Sequence, residues 1–473
     1  MPSLPLRLSL LLALGLAGCD EAPRFTQPEP GEARSGGDTT VFKTDRNAFS
    51  MPSANLSPTQ RLDFSVGNSF FRSPWVIAPS TTTARDGLGP LFNTNACQNC
   101  HIRDGRGHPP APDAKNAVSM LVRLSIPNEP TYAKLIEQTG IVPEPVYGGQ
   151  LQDMAVPGVA PEGKVRVDYE AVPVRFKDGT EVQLRKPLLQ ITQLGYGPMH
   201  PDTRFSARIA PPMIGLGLLE AIPEEAILAN AAANKNDAGI NGRPNRVWDD
   251  AQQKTVLGRF GWKAGQPNLN QQNVHAFSGD MGLTTSLRPF DDCTSAQTDC
   301  LAAPNGNGPD GEPEVSDNIL RLVEFYTRNL AVPARRDVDS PQVLAGKNLF
   351  YQAGCVSCHT PKFTTSANAA EPELANQVIY PYSDLLLHNM GPGLADNRTE
   401  FAASGSDWRT PPLWGIGLTQ TVSGHTQFLH DGRARNLLEA VLWHGGEAEP
   451  AKQQVLQFNA EQRAALLAFL NSL

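Results

Sequence analysis

Cys97-Gln98-Asn99-Cys100-His101 and Cys355-Val356-Ser357-Cys358-His359 repeat one pattern, in which two cysteines two residues apart are followed at once by histidine. This C-x-x-C-H pattern is the attachment signal for c-type haem. Its thiols bond to the two vinyl groups of one haem, and its histidine becomes the proximal ligand of the iron. A zinc site or a disulfide could use such cysteines, but two copies favour two covalent haems. The predicted attachment residues are Cys97, Cys100, Cys355 and Cys358, and the predicted proximal ligands are His101 and His359.

The composition indicates a globular protein that is rich in turns. The chain has 473 residues, enough for two or three domains. Glycine and proline number 41 each, and charged residues make up 19%, below the usual ~25%. The formal net charge of −8 argues against a nucleic-acid partner, because proteins that bind nucleic acid carry basic surfaces.

The N-terminal residues predict export and a lipid anchor. A short apolar stretch at 8–16 runs into Ala17, Gly18 and Cys19, which is typical of a bacterial lipoprotein signal. Residues 1–18 would be the signal peptide and Cys19 the lipidated residue, while a plain secretory signal is the alternative. The protein would then lie in the bacterial periplasm and touch a membrane only through its lipid, with Asp20 favouring the inner membrane.

The segment that follows, residues 19–56, is poor in large apolar residues and is predicted to be a flexible tether. Cys293 and Cys300 are the remaining cysteines. They flank a short polar stretch, and a disulfide that closes this loop is expected in an exported protein. No other stretch reaches the ~18 apolar residues that a membrane helix needs.

Helical patterns surround both haem motifs. Ser57-Pro58 and Ser340-Pro341 each combine an N-cap residue with proline at the first helical position, ahead of a haem motif. A helix over 317–330 would close the first half of the chain, and an amphipathic helix over 460–473 would close the second. A helix before the motif and a closing helix across it are typical of a cytochrome c domain.

An internal repeat supports two related halves. The stretch from Ala210 to Leu218 matches the stretch from Thr410 to Leu418, with Pro-Pro and Gly-x-Gly-Leu in register. The haem motifs are spaced more widely than this repeat, so the first half carries an insertion. Alternating runs at 164–169 and 181–185 predict strands within it.

The predicted fold is therefore mainly α, with two cytochrome c-like haem domains. The N-terminal domain would span 57–335 and be enlarged by insertions with a small β element. The C-terminal domain would span 336–473.

The sixth ligand of each iron separates electron transfer from catalysis, because an open site admits a small molecule such as peroxide. For the second haem we predict His444, which would share one side of a helix with Leu437 and Val441. His430, whose Asp-Gly turn suggests a position at the rim of a haem, and Met390 are the alternatives.

For the first haem no residue stands out as sixth ligand, although Met120, Met199 and His200 are available. Glu220 follows the first copy of the repeat in an apolar setting. It is predicted to move the proton that peroxide cleavage requires, with a surface or capping role as the alternative. Trp262 would relay electrons if it lies between the haems, and a buried core tryptophan is the alternative.

Further stretches carry a recognisable pattern, and they extend across the chain from about residue 57 to its end. They are 87–93, 147–153, 258–263, 280–284, 382–388 and 429–434. In these stretches the chain resembles the bacterial di-haem oxidoreductase family, whose members are described as peroxidases and as thiol oxidoreductases. The family is distantly similar to bacterial di-haem cytochrome c peroxidases and to the di-haem enzyme that matures methylamine dehydrogenase.

The resemblance has consequences for the second haem. Residues 428–432 and 437–441 resemble the C-terminal haem domain of those peroxidases, where the next helix supplies the sixth ligand. His444 stands where those peroxidases have methionine, which implies a lower potential for this haem. Relatives also imply a calcium ion between the haems, for which this chain offers no clear ligand pattern.

The sequence thus predicts a peroxidase-like oxidoreductase whose partners are a periplasmic protein that donates or accepts electrons and a small oxidant such as hydrogen peroxide. The C-terminal haem would transfer electrons, and the N-terminal haem would react. A non-enzymatic electron-transfer cytochrome and an oxidase that modifies a partner protein are the alternatives. A thiol oxidoreductase is disfavoured, because every C-x-x-C belongs to a haem motif.

Overall fold

The structure, a computed structural model, describes residues 24–234 and 239–473. The predicted signal peptide and Cys19 lie outside the described residues. Helices make up 31% of the described residues and strands 17%. The prediction of a mainly α fold is therefore corrected to a mixed one, because the long first half folds much of its sequence into small sheets.

The helices fall into a few long elements that form the core and several single turns. They are α1 (Pro58–Arg72), α2 (Cys97–Cys100), α3 (Ala133–Thr139), α4 (Leu216–Glu220), α5 (Glu224–Asn234), α6 (Leu269–Met281), α7 (Thr298–Ala302), α8 (Asp317–Arg328), α9 (Pro341–Gln352), α10 (Thr419–Ser423), α11 (Leu437–Leu442), α12 (Glu449–Leu456) and α13 (Ala460–Ser472).

The strands form two- and three-stranded antiparallel sheets. They are β1 (Leu91–Phe92), β2 (Met120–Ser125), β3 (Gln150–Leu151), β4 (Met154–Ala155), β5 (Lys164–Arg175), β6 (Glu181–Thr192), β7 (Arg204–Ile209), β8 (Arg246–Asp249), β9 (Lys254–Leu257), β10 (Phe363–Thr364), β11 (Val378–Ile379), β12 (Leu387–Asn389) and β13 (Asp407–Arg409). In the three-stranded sheet β2 lies between β3 and β7, and β5 pairs with β6 along its whole length.

Each half of the chain contains a crossing of two helices. Helix α1 packs on α8, and α9 packs on α13. A Cβ atom on Gly67 of α1 would clash with the backbone of α8, and a Cβ atom on Gly346 of α9 would clash with the backbone of α13. Glycine weakens an isolated helix, but here it allows two backbones to touch.

The sequence repeat occupies equivalent places in the two halves. The N–H of Gly215 donates to the carbonyl of Leu330 at 2.9 Å, and the N–H of Gly415 donates to the carbonyl of Leu473 at 2.8 Å. Both glycines have positive φ, 69° and 70°, where a side chain is disfavoured. A Cβ atom on Gly215 would also clash with Trp414, so the two copies of the repeat face each other.

Residues 24–56 pack against the rest of the protein. Glu32 is buried and forms ion pairs with Arg335 and Lys347, which are buried as well. Glu29 also pairs with Lys347, at 2.6 Å. The prediction of a flexible tether is therefore wrong for this segment, because its carboxylates neutralise buried cations next to and within the second half.

The insertion in the first half forms a hairpin that reaches the second half. The strands predicted at 164–169 and 181–185 lie within β5 and β6. Phe176, at the end of the hairpin, is buried in one apolar cluster with Phe469 of α13. Arg463 of α13 donates to Asp178 in the turn at 2.7 Å. The predicted β element therefore joins the two halves.

Two smaller expectations concern the cysteines and the membrane. Cys293 and Cys300 are joined by the predicted disulfide, just before and within α7. Within residues 24–234 and 239–473, no helix has the length and apolar character needed to cross a membrane.

Candidate functional site

The first C-x-x-C-H motif borders a cavity of about 360 Å³. Cys97 and Cys100 lie at the two ends of the single turn α2, and both thiols are free. Nδ1 of His101 donates to the carbonyl of Pro211 at 2.8 Å, which leaves Nε2 available to an iron. Burial lowers the pKa of His101 to about 4, so the imidazole is neutral, as an iron ligand must be.

Arginines without carboxylate partners line the same cavity. Arg106, Arg123 and Arg409 contribute to its wall, and none of them forms an ion pair with a carboxylate among the described residues. Burial lowers the pKa of both Arg106 and Arg409 to about 10. An unpaired cation inside a protein is costly, and haem propionates would supply the missing anions. The thiols, the imidazole and these guanidinium groups together fit a c-type haem.

Helix α6 forms one wall of the cavity and carries a carboxylate close to the thiols. Burial, and then the charge of Asp280, raise the pKa of Cys97 to about 12. Burial also raises the pKa of Asp280 itself, against the opposing charge of Arg123. Oδ1 of Asp280 accepts a hydrogen bond from Nε2 of Gln150 at 3.0 Å. Oε1 of the buried Gln150 has no partner in the described part of the chain, so a polar atom is free beside this acid.

Glu220 has a different role from the predicted one. One carboxylate oxygen accepts from the N–H of Leu269 at the start of α6, and the other accepts from Nε of Arg328, both at 2.8 Å. The carboxylate thus caps a helix and neutralises an arginine, and it does not line the cavity. This is a correction: Asp280, which the sequence singled out only within the 280–284 stretch, lines the cavity, whereas Glu220 does not.

The residues considered as sixth ligands of the first haem do not line the cavity. Met120, Met199 and His200 are not among its lining residues, which corrects that expectation. His275 of α6 does line the cavity, but its ring nitrogens already meet Gln266 at 2.9 Å and a carboxylate at 3.0 Å. None of these four side chains is therefore available to an iron bound at His101.

The second C-x-x-C-H motif has the same local design. Both of its thiols are free, and Nδ1 of His359 donates to the carbonyl of Tyr382 at 2.9 Å. Burial lowers the pKa of His359 to about 4, with smaller contributions from the neighbouring His444 and His388. The donors again fit a c-type haem, because a neutral imidazole offers Nε2 beside two thiols.

His444 lies beside the second motif, in the turn that follows α11. The helix that was predicted to carry Leu437, Val441 and His444 is shorter than expected, because it ends at Leu442. Nδ1 of His444 donates to the carbonyl of Ala440 at 2.7 Å, which leaves Nε2 free. Burial lowers the pKa of His444 and keeps it neutral. Met390, the thioether alternative, is partly buried against the apolar cluster that also holds Phe176 and Phe469.

Comparison with known proteins identifies the family. The profile of the family described as "Di-haem oxidoreductase, putative peroxidase" matches residues 31–473. The chain belongs to this di-haem oxidoreductase family. No curated protein matches the chain. Among solved structures it is similar to hydrazine synthase of Kuenenia stuttgartiensis, pressurised with xenon, at 12% identity and a TM-score of 0.32 over 99% of this chain and 100% of that one. At this TM-score the likeness carries no argument about function.

In this di-haem oxidoreductase His430 is buried in the core. Its ring stacks on Trp408 with centroids 3.6 Å apart, and Trp262 meets it edge-on at 6.5 Å. Trp262 also lines the first cavity, where Nε1 donates to the carbonyl of Ile209 at 2.8 Å. The place predicted for His430 at the rim of a haem stays a prediction. The three rings form a continuous aromatic path that leads from the cavity into the second half.

The described ranges hold no group of three or more histidine, cysteine, aspartate or glutamate side chains arranged to bind a metal ion. The calcium that relatives of the di-haem oxidoreductase imply therefore stays a prediction.

Proposed function

We propose that this di-haem oxidoreductase is a periplasmic peroxidase, in which the cavity beside His101 is the reactive site and the second haem transfers electrons. The observation that carries the proposal is the Asp280 carboxyl group on the wall of that cavity, with a raised pKa and a hydrogen bond from Gln150. Reduction of one hydrogen peroxide to two waters consumes two electrons and two protons. The site must therefore deliver both.

A haem held by Cys97, Cys100 and His101 would supply an iron that exchanges electrons with the oxidant. Asp280 moves one of peroxide's own protons from the first oxygen to the second, so that the second oxygen leaves as water when the bond between them breaks. The two electrons and the two further protons are then taken up as the remaining oxygen becomes the second water. Gln150 holds the carboxyl group in place, and its free Oε1 accepts a hydrogen bond from the substrate.

The second haem, held by Cys355, Cys358 and His359, is assigned to electron transfer because His444 offers a second strong ligand. Trp262 relays electrons between the halves, supported by its place between the cavity and the ring of His430. The donor is a periplasmic protein. Export rests on residues 1–18, and attachment to a membrane rests on the lipidation of Cys19.

The proposal is tested by resting and half-reduced electron paramagnetic resonance spectra of the protein with both haems, followed by rapid mixing with hydrogen peroxide. We expect one high-spin and one low-spin iron, and reduction of peroxide after the second haem has been reduced. Two low-spin irons that ignore both cyanide and peroxide would overturn the proposal in favour of an electron-transfer cytochrome. Reaction only in the presence of a partner protein would overturn it in favour of an oxidase.

Replacing His444 with alanine tests the second haem separately. We expect the low-spin signal to be lost, because the iron loses its second strong ligand, while both haems stay attached through their thioethers. Replacement with methionine should keep the low-spin state and raise the midpoint potential. The matched control is His200→Ala, which removes an exposed imidazole and should change neither signal. An unchanged low-spin signal in His444→Ala would return the assignment to Met390.

A further inference from the structure

The stretch from Tyr382 to His388 carries part of the family resemblance, yet the proposed function gives it no role beyond one carbonyl. It lies against the second haem motif, next to His359, the predicted proximal ligand. The carbonyl of Tyr382 orients His359, and the N–H of Asp384 donates to the carbonyl of Cys358 at 3.0 Å. The stretch is thus bonded to the motif by both side chain and backbone.

His388, at the end of this stretch, is 1% exposed and is bonded to a carboxylate on each side. Nε2 donates to Oδ2 of Asp384 at 2.8 Å, and Nδ1 donates to Oε2 of Glu447 at 2.8 Å. Nδ1 also lies 3.5 Å from Sγ of Cys358. Two acceptors on opposite nitrogens require both nitrogens to carry protons, so the ring is a cation between two anions.

Glu447 lies in the segment that carries His444, the predicted second ligand of this haem. It lies three residues after His444, in the turn that follows α11. Its Oε1 accepts from the N–H of Asn389 at 2.9 Å, and Arg243 approaches the same oxygen at 3.6 Å. The turn that carries His444 is therefore tied to the segment that begins at His388.

We propose that His388 is a positioning residue that sets the placement of both axial ligands of the second haem. Its bond to Asp384 fixes the stretch whose carbonyl orients His359. Its bond to Glu447 fixes the turn that carries His444. The inference rests on the electron-transfer role proposed for this haem. An imidazole suits the position because it offers two donors that point in opposite directions, which no neutral side chain of similar size does.

The test replaces His388 with glutamine in the protein that carries both haems. We expect two haems per chain to be retained, the single low-spin signal of the second haem to split or give way to a high-spin signal, and its midpoint potential to shift. The signal of the first haem should not move. Glu447→Gln serves as a second variant that frees only the His444 side, and it should disturb the same signal if His388→Gln fails to fold. His425→Gln is the matched control, because its imidazole is partly buried and bonds to the carbonyl of Arg106.

The inference is overturned if both variants keep the spectrum and the potential of the unaltered protein. It is also overturned if the second haem is already high-spin in the unaltered protein, since His444 would then not be a ligand. Neither readout needs peroxide. A protein that fails as a peroxidase but responds to these substitutions would therefore keep the positioning role.

Discussion

Replacing Asp280 with asparagine is expected to slow peroxide reduction by about 10²- to 10⁴-fold, the usual contribution of a positioned acid–base group. The amide keeps the shape of the side chain and can still meet Gln150, but it cannot take a proton from one oxygen and return it to the other. Both haems should remain attached, because the thiols and His101 are untouched. The measurement is the rate of peroxide consumption by the pre-reduced protein under single turnover.

The matched control for Asp280 is Glu220→Gln. Glu220 is also a partly buried carboxylate near α6, but it caps the helix and pairs with Arg328. We expect this variant to lose stability while its rate per folded molecule stays close to that of the unaltered protein. A rate loss in Glu220→Gln together with an unchanged Asp280→Asn would contradict the assignment and restore the role predicted from the sequence.

Replacing Glu32 with alanine is expected to lower the free energy of unfolding by about 3–5 kcal/mol, as removal of one partner from a buried ion pair typically does. Arg335 and Lys347 are each 1% exposed at the side chain, so neither can recover water once the carboxylate is gone. Lys347 keeps Glu29, whereas Arg335 loses its only carboxylate partner among the described residues. Denaturant unfolding followed by haem absorbance measures the change.

The matched control for Glu32 is Asp38→Asn in the same N-terminal segment. Asp38 pairs with Arg34 on the surface, with side chains 73% and 57% exposed, and such pairs add little to stability. We expect no measurable change in this variant. If Glu32→Ala also leaves the unfolding midpoint unchanged, the buried ion pairs of Glu32 add nothing to stability, and the tether predicted from the sequence would regain support.

The haem motifs, the helices before them and the closing helices could be predicted from the sequence because each carries a local signal. A cap followed by proline fixed the start of α1, and apolar spacing fixed α13. The repeat around Pro211 was also visible, although the contact between Gly215 and Trp414 was not. Local sequence patterns predict which helix or strand forms, but they do not predict which other elements it packs against.

The candidate site could not be predicted in full for the same reason. Asp280, Gln150 and Arg123 come together from separate elements, and only the fold brings them to one cavity. Glu220 had the expected apolar neighbours, but its partner Arg328 lies far away in the sequence. The N-terminal segment has a composition typical of a linker, yet two buried cations require its carboxylates. The composition of this segment does not show that one of its carboxylates, Glu32, pairs with buried cations elsewhere in the fold.

The hairpin of β5 and β6 has a consequence for how the protein is made. Phe176 at its end is buried in an apolar cluster that includes Phe469 and other residues near the C-terminus. During synthesis the apolar end of the hairpin therefore stays exposed to solvent until the C-terminal residues have been translated. Contacts between such distant positions slow folding and lengthen the time in which a chain can aggregate. Residues 336–473 made alone would lack this cover, so the second half is expected to mature only as part of the full chain.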